Sequence, residues 1–214
     1  MLNEGQIQRY SRQILLSRVG GAGQELLLRA RVDVRGTGTA LTTAVSYLAT
    51  AGVLAELCAH ECVTAEDLGF LAPASSLGSP WPEVMAQGLA RLDSRADSGG
   101  LEKTHLRAVL HAAPGKLGGD ANVASTVVGS WRGKSAVVHF PVGAVARYAD
   151  SMDRAAPTSS GADGVLAGAL AAWVVIRSLL EPFPTPRGWI LLDAGGWGDL
   201  DLNGFRSSAE VVRT

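Results

Sequence analysis

Residues 30–38 read Ala30-Arg31-Val32-Asp33-Val34-Arg35-Gly36-Thr37-Gly38. The short β-branched segment from Val32 to Val34 predicts a strand, and the glycines that follow predict a tight turn. The small-residue segment from Ala40 to Ala51 predicts a helix, with Gly52 ending it as a C-terminal cap. Val53 to Cys58 then predicts a second strand. The order strand, helix, strand favours a parallel sheet with right-handed crossovers.

The composition indicates one globular domain. The chain has 214 residues, of which 47% are hydrophobic and 18% charged, with a formal net charge of −1. This balance gives no electrostatic reason to expect binding to nucleic acid or to an anionic membrane. The N-terminus has no apolar leader, so we expect a cytoplasmic protein. The strongly apolar run without charge from Gly164 to Ile176 is shorter than the roughly 18 to 20 residues that span a bilayer.

Periodicity predicts the other elements. Helices are expected over residues 4–17, 24–30, 83–92 and 164–180, and strands over 106–110, 136–140 and 189–193. The helix 164–180 is apolar nearly all round, so it should be buried on more than one side, although it could equally form an interface. Gly195-Gly196 predicts a turn that leads into a hairpin strand over 198–202.

The glycine turn matches part of a phosphate-binding pattern. In a G-x-G-x-x-G turn the first glycine allows the tight turn and the second lets phosphate approach the backbone. Gly36 and Gly38 fit these two roles, whereas Leu41 stands at the third position. Asp33 and Arg35 interrupt the apolar strand on one face, and we expect them to pair with each other, a neighbour or a partner subunit. Contact between Arg35 and an anion is the alternative.

The two cysteines are Cys58 and Cys62, with His60 between them. On a strand the three side chains would share one face, so a metal site is one interpretation. No further Cys or His cluster supplies the remaining ligands of a tetrahedral site, and small buried thiols are the favoured interpretation.

The opening of the chain carries a resemblance to a known family. Three segments, residues 9–16, 23–27 and 30–38, resemble the start of the ThiF/MoeB group of the ubiquitin-activating-enzyme superfamily. Those proteins adenylate the C-terminal carboxylate of a small ubiquitin-like or sulfur-carrier protein. Asp67-Leu68 stands where the family has Asn-Leu, and Gly78-Ser79-Pro80 resembles its Gly-Gln-Pro. The resemblance implies an α/β, Rossmann-like fold with a mostly parallel sheet flanked by helices. Residues 1–30 would form an N-terminal helical segment and residues 31–214 the domain.

The same resemblance shows which site residues have changed. Ala59 replaces the ribose-binding Asp, with Glu61 as a candidate substitute two places on. Phe70 replaces an arginine, Trp81 replaces a lysine, and His111 falls near the magnesium-associated Asp. Loss of one preorganised charge-stabilising donor costs on the order of 10²- to 10³-fold in rate. The resemblance therefore implies little adenylation, and leaves a vestigial nucleotide-binding set of Gly36, Gly38, Glu61 and Arg35.

One functional position of the family is retained. Its dimers place the second arginine of Arg-Tyr-x-Arg-Gln in the partner's ATP site, and Arg12 occupies that position. The alternative is that Arg12 only caps a surface helix. No paired C-x-x-C motif is present, so the family's structural zinc is not expected.

The leading hypothesis is a catalytically degenerate ThiF/MoeB-like protein that acts by binding. It would form a homo- or heterodimer with a ThiF/MoeB-like protein, or bind a small ubiquitin-like carrier or a peptide, in a sulfur-transfer or peptide-modification pathway. The alternative is an active adenylyltransferase that uses ATP and magnesium. An NAD(P)-dependent oxidoreductase rests on the two glycines alone, and a structural role in a larger assembly is a further alternative.

Overall fold

The computed structural model describes residues 1–58, 62–92, 106–112, 124–131, 134–140, 161–180, 189–193 and 196–199. Its helices are α1 (Glu4–Ile14), α2 (Gly20–Arg29), α3 (Gly38–Thr50), α4 (Trp81–Arg91) and α5 (Gly161–Leu180). Its strands are β1 (Arg31–Gly36), β2 (Leu54–Cys58), β3 (Leu106–Ala112), β4 (Ala124–Trp131), β5 (Lys134–Phe140), β6 (Trp189–Asp193) and β7 (Gly196–Asp199).

The strands form one sheet in the order β2-β1-β3-β4-β5-β6-β7. The pairs β2/β1, β1/β3 and β3/β4 are parallel, whereas β4/β5, β5/β6 and β6/β7 are antiparallel. The α/β, Rossmann-like architecture predicted from the sequence is confirmed. The parallel half contains the β1–α3–β2 unit, so the glycine turn lies at the carboxyl end of β1. That end of a parallel sheet is where such folds bind ligands.

Several boundaries differ from the sequence prediction. Helix α2 begins at Gly20 rather than residue 24. Within this added first turn Gly23 packs closely, since a Cβ on it would lie 2.9 Å from Leu180 Cδ2. Strand β4 was not predicted, since its sequence contains Gly and Ser among its β-branched residues. Its buried members Thr126 and Val128 alternate, as expected for one face of a strand. The hairpin after residue 195 is confirmed for β7, while 200–202 lie outside the described residues.

Helix α5 packs against α3 and against the sheet, which confirms its expected burial on more than one side. Gly168 makes the contact with α3 so close that a Cβ there would collide with the carbonyl oxygen of Ala40. A third face of α5 remains exposed and carries Val165, Leu166 and Trp173. The fully buried Val32 and Val34 of β1 belong to the same core.

Helices α1 and α2 pack around the C-terminal end of α3. Gln13 Nε2 donates to the Thr50 carbonyl oxygen at 3.1 Å, and Gln24 Nε2 donates to the Ala51 carbonyl oxygen at 2.9 Å. Gly52 follows with a φ of +91°, which confirms its predicted role in ending the helix. A Cβ there would lie 3.0 Å from the hydroxyl oxygen of Tyr10. The N-terminal helices therefore hold the far end of the helix that begins at the glycine turn.

The prediction of buried thiols is wrong for Cys62, which is exposed. Cys62 lies beyond β2 and forms an isolated antiparallel bridge with Pro80, while the next residue, Val63, takes the buried place. The side chain of Cys58 and all of His60 lie outside the described residues. Within the described part of the chain no three His, Cys, Asp or Glu side chains cluster in a way that would hold a metal ion. None of the described helices has the length and apolar character needed to cross a membrane.

Candidate functional site

The centre of the candidate site is the turn between β1 and α3. Gly36 has a φ of +123° and Gly38 a φ of +86°, both in the left-handed region that favours glycine. Thr37 between them is extended and serves as the N-cap residue of α3, but its side chain makes no cap hydrogen bond. Leu41 is fully buried in the core. The first two glycines of the pattern therefore have the backbone geometry that the sequence predicted, and the third position serves packing.

The backbone N–H of Gly38 already has a partner inside the protein. It donates to Asp67 Oδ1 at 2.6 Å, across 29 residues of sequence. The other carboxylate oxygen, Oδ2, accepts from the backbone N–H of Thr64 at 2.8 Å and from its hydroxyl at 2.7 Å. Asp67 is completely buried. The Asp67 carboxylate thus lies at the N-terminus of α3, where the unpaired N–H groups and the positive end of the helix dipole are found.

Sequence reasoning placed Asp67 at the family's Asn-Leu position but did not connect it with the turn. A signal was present, because Thr64-x-x-Asp67 has the spacing of a capping box, and the structure shows that box around a short 3₁₀ turn over Ala65–Asp67. The loop continues against α3: a Cβ on Gly69 would lie 3.3 Å from Thr42 Oγ1. The Thr64-x-x-Asp67 pattern predicts only the local cap. The contact between Asp67 and Gly38 depends on the path of the chain after β2.

The expected pairing of Asp33 with Arg35 is confirmed. Arg35 Nη2 lies 3.7 Å from Asp33 Oδ2, and Arg31 Nη2 lies 3.6 Å from Asp33 Oδ1. Arg31 also pairs with Glu56 on the neighbouring strand at 2.7 Å. Asp33 is buried, whereas the arginines and Glu56 keep a third or more of their side chains in water. The charges therefore form a ladder along one face of β1 and β2.

Three residues of the Arg-Tyr-x-Arg-Gln motif have contacts within the chain. Tyr10 is buried, Gln13 binds the end of α3, and Arg9 Nη2 lies 3.4 Å from the Leu92 carbonyl oxygen. Arg12 differs, since it is exposed in the last turn of α1 and has no hydrogen-bond or ion-pair partner among the described residues. A basic residue there also interacts favourably with the helix dipole, so both interpretations of Arg12 stay open.

The replaced cation positions lie in different environments. Phe70 is 67% exposed, whereas Trp81, the first residue of α4, is only 2% exposed and belongs to the hydrophobic core. His111 lies in β3, in register with Arg35 on β1. Glu61, the candidate ribose ligand, and Ala59 lie outside the described residues. At positions 70 and 81 the side chains present offer no charge to a triphosphate.

The turn therefore has the two positive-φ glycines that phosphate-binding turns use, but the groups around it differ. A phosphate at such a turn is held by backbone N–H groups and neutralised by cations. Here the first N–H of α3 is bonded to a buried carboxylate. Arg35, the nearest arginine in sequence, lies against Asp33.

No protein-family model and no curated protein matches the sequence. Solved structures do match its fold. The crystal structure of PaaA superposes with a TM-score of 0.67 over 92% of this chain and 82% of PaaA, at 14% sequence identity. Escherichia coli MccB with ATP gives a TM-score of 0.63 over 88% of this chain and 69% of MccB, at 16% identity. The microcin C7 biosynthetic enzyme MccB in complex with N-formylated MccA gives 0.67 over 89% and 70%, at 17% identity.

These neighbours have the ThiF/MoeB Rossmann-like fold, as the sequence resemblance implied. At such low identity the likeness establishes the fold.

Proposed function

We propose that this chain is a ThiF/MoeB-like protein of a peptide-modification pathway that acts by binding and does not adenylate its ligand. It works in the cytoplasm as one half of a dimer with a second ThiF/MoeB-like protein, and its ligand is a peptide or a small ubiquitin-like carrier. Its own glycine turn is a remnant of a nucleotide site. Magnesium and ATP chemistry, where the pathway needs them, belong to the partner.

The observation that carries this proposal is the burial of Trp81. The sequence resemblance expects a lysine at this position, where it would neutralise the triphosphate. Trp81 instead packs in the hydrophobic core with Val84 and Met85 of its own helix. Burial of a large aromatic ring stabilises the fold, whereas burial of an unpaired charged side chain at the same place would destabilise it. Loss of a cation in favour of core packing is expected where selection for catalysis has ended.

A peptide ligand is supported by the structural neighbours. MccB has been crystallised both with ATP and with N-formylated MccA. The present chain shares the MccB fold over most of its length. It carries Phe70 and Trp81 at the two described positions where the sequence resemblance expects cations. Peptide binding can be retained without those cations, whereas stabilisation of a triphosphate in the transition state requires them.

The exposed Arg12 supports the dimer. Its motif neighbours Tyr10 and Gln13 are used to pack α1, so the motif is explained by folding except at this residue. A guanidinium with no partner in the described part of its own chain is suited to bidentate contact with a phosphate on another subunit. In this arrangement Arg12 completes the partner's site.

The test measures nucleotide binding and turnover on the purified chain. Isothermal titration calorimetry with magnesium and ATP is run beside E. coli MccB, which has been crystallised with ATP and serves as the positive control. ATP–pyrophosphate exchange is then measured with and without added peptide. We expect neither heat nor exchange from this chain, and sedimentation equilibrium should show a dimer, either alone or with a ThiF/MoeB-like partner.

Exchange above the protein-free blank would contradict the proposal and favour the active adenylyltransferase. A monomer at every concentration, with or without a partner, would contradict the dimer.

A further inference from the structure

The contact between Asp67 and the start of α3 has a consequence for ligand selection. Asp67 is 0% exposed, and both of its carboxylate oxygens accept hydrogen bonds. One oxygen binds the turn through Gly38, while the other binds Thr64 in the preceding loop. The carboxylate is therefore fixed on both sides and joins the loop after β2 to the turn after β1.

The position that Asp67 fills is the one a phosphate would take. In glycine turns the N–H groups at the start of the helix point at the anion, and the helix dipole favours negative charge there. Helix α3 makes no side-chain cap bond of its own through Thr37. Asp67 Oδ1, 2.6 Å from the Gly38 nitrogen, instead accepts the hydrogen bond from the first N–H of this helix.

We propose that Asp67 is a built-in anion that occupies the phosphate position of the glycine turn and makes this turn select against phosphate-bearing ligands. Two effects act together. The N–H that would hold a phosphate is bonded already, and a second negative charge brought beside a buried carboxylate is repelled in a region of low effective dielectric. Asp67 is thus a specificity-determining residue of the proposed function, on whose vestigial nucleotide site this inference rests.

The inference predicts that removal of the charge restores affinity for phosphate. Asp67→Asn keeps the size of the side chain and can still accept from Gly38 N–H, but it carries no charge. The matched control is Thr64→Val, which removes the 2.7 Å bond from the Thr64 hydroxyl to Oδ2 and leaves the carboxylate in place. Both variants weaken the loop, but only one removes the charge.

The experiment titrates inorganic pyrophosphate and ATP into the wild type and both variants by calorimetry. Circular dichroism and a cooperative thermal transition verify that each variant is folded. We expect Asp67→Asn to bind pyrophosphate at least about tenfold more tightly than the wild type, because a like charge has left the site, whereas Thr64→Val binds no better than the wild type. Equal binding by the two variants, or pyrophosphate binding by the wild type as tight as that of Asp67→Asn, would overturn the inference.

A second measurement needs no variant, so it decides the question even where Asp67→Asn does not fold. In the ¹⁵N-labelled wild type, the amide resonance of Gly38 should not move when pyrophosphate or ATP is added at millimolar concentration. Movement of that resonance would show that phosphate reaches the turn, and the inference would be wrong.

The two proposals fail separately. ATP–pyrophosphate exchange by the wild type overturns the proposed function, whatever the Gly38 amide does. Absence of exchange together with a shifted Gly38 amide overturns only the inference about Asp67.

Discussion

Close packing between α3 and α5 predicts that Gly168→Ala destabilises the protein, although alanine is the better helix former. In an open helix interior, glycine to alanine gains about 1 kcal/mol. At Gly168 the new Cβ would collide with the Ala40 carbonyl oxygen and lie 2.9 Å from Thr43 Cβ. The obstructing Ala40 atoms belong to the backbone of α3, which cannot rotate away as the end of a flexible side chain can.

The expected loss of stability is the overpacking cost minus the gain in helix propensity. Overpacking of a well-packed core costs about 1–3 kcal/mol, and a collision with backbone belongs at the upper end of that range. Subtraction of the gain in helix propensity leaves a net loss of about 2 kcal/mol. For a domain of this size each kcal/mol changes Tm by about 2–4 °C, so we expect Tm to fall by about 4–8 °C.

The matched control is Gly21→Ala in α2. Gly21 is exposed, and a Cβ there would have no atom within 4 Å. The same substitution should therefore raise stability by about 0.4–1 kcal/mol and Tm by about 1–4 °C. Differential scanning calorimetry on the wild type and the two variants makes the comparison. An increase in Tm for Gly168→Ala as large as that for Gly21→Ala would refute the packing argument.

Four further substitutions test the core, the charge ladder and the exposed thiol. Trp81→Ala should lower the free energy of unfolding, measured in urea, by about 3–5 kcal/mol. Phe70→Ala, at an exposed position, should leave this free energy within about 0.5 kcal/mol of the wild type. Similar losses in the two variants would contradict the burial of Trp81. Asp33→Leu should change the unfolding free energy by less than about 1 kcal/mol. Arg31 keeps its ion pair with Glu56 in this variant, and both arginines of the ladder remain partly hydrated. A loss above about 3 kcal/mol would mean that the ladder is essential to folding. Cys62 is exposed, so the native protein should react with a thiol reagent such as Ellman's reagent, and the fast phase should disappear in Cys62→Ser. A fast phase that persists in that variant would place the reactive thiol elsewhere.

The order of elements around the turn could be predicted from the sequence because each signal is local. Val32 and Val34 are β-branched and favour a strand through their own propensity. Gly36 and Gly38 supply the positive φ values that a sharp strand-to-helix turn requires. The pairing of Asp33 with Arg35 also followed from local geometry, since residues two apart on a strand share a face. Strand β4 was missed, because its Gly and Ser residues weaken strand propensity and its neighbours in the sheet decide its conformation.

The sequence by itself determined the β1–α3–β2 unit with its glycine turn, and it showed the loss of charge at positions 70 and 81. Only the tertiary structure decided what occupies the turn. Asp67 and Gly38 are 29 residues apart, and they meet because β2 runs parallel to β1 and its following loop returns over the start of α3. Propensity acts over a few residues, whereas a buried carboxylate is placed by the path of the whole chain. The position of Asp67 at the start of α3 therefore could not be predicted from the sequence.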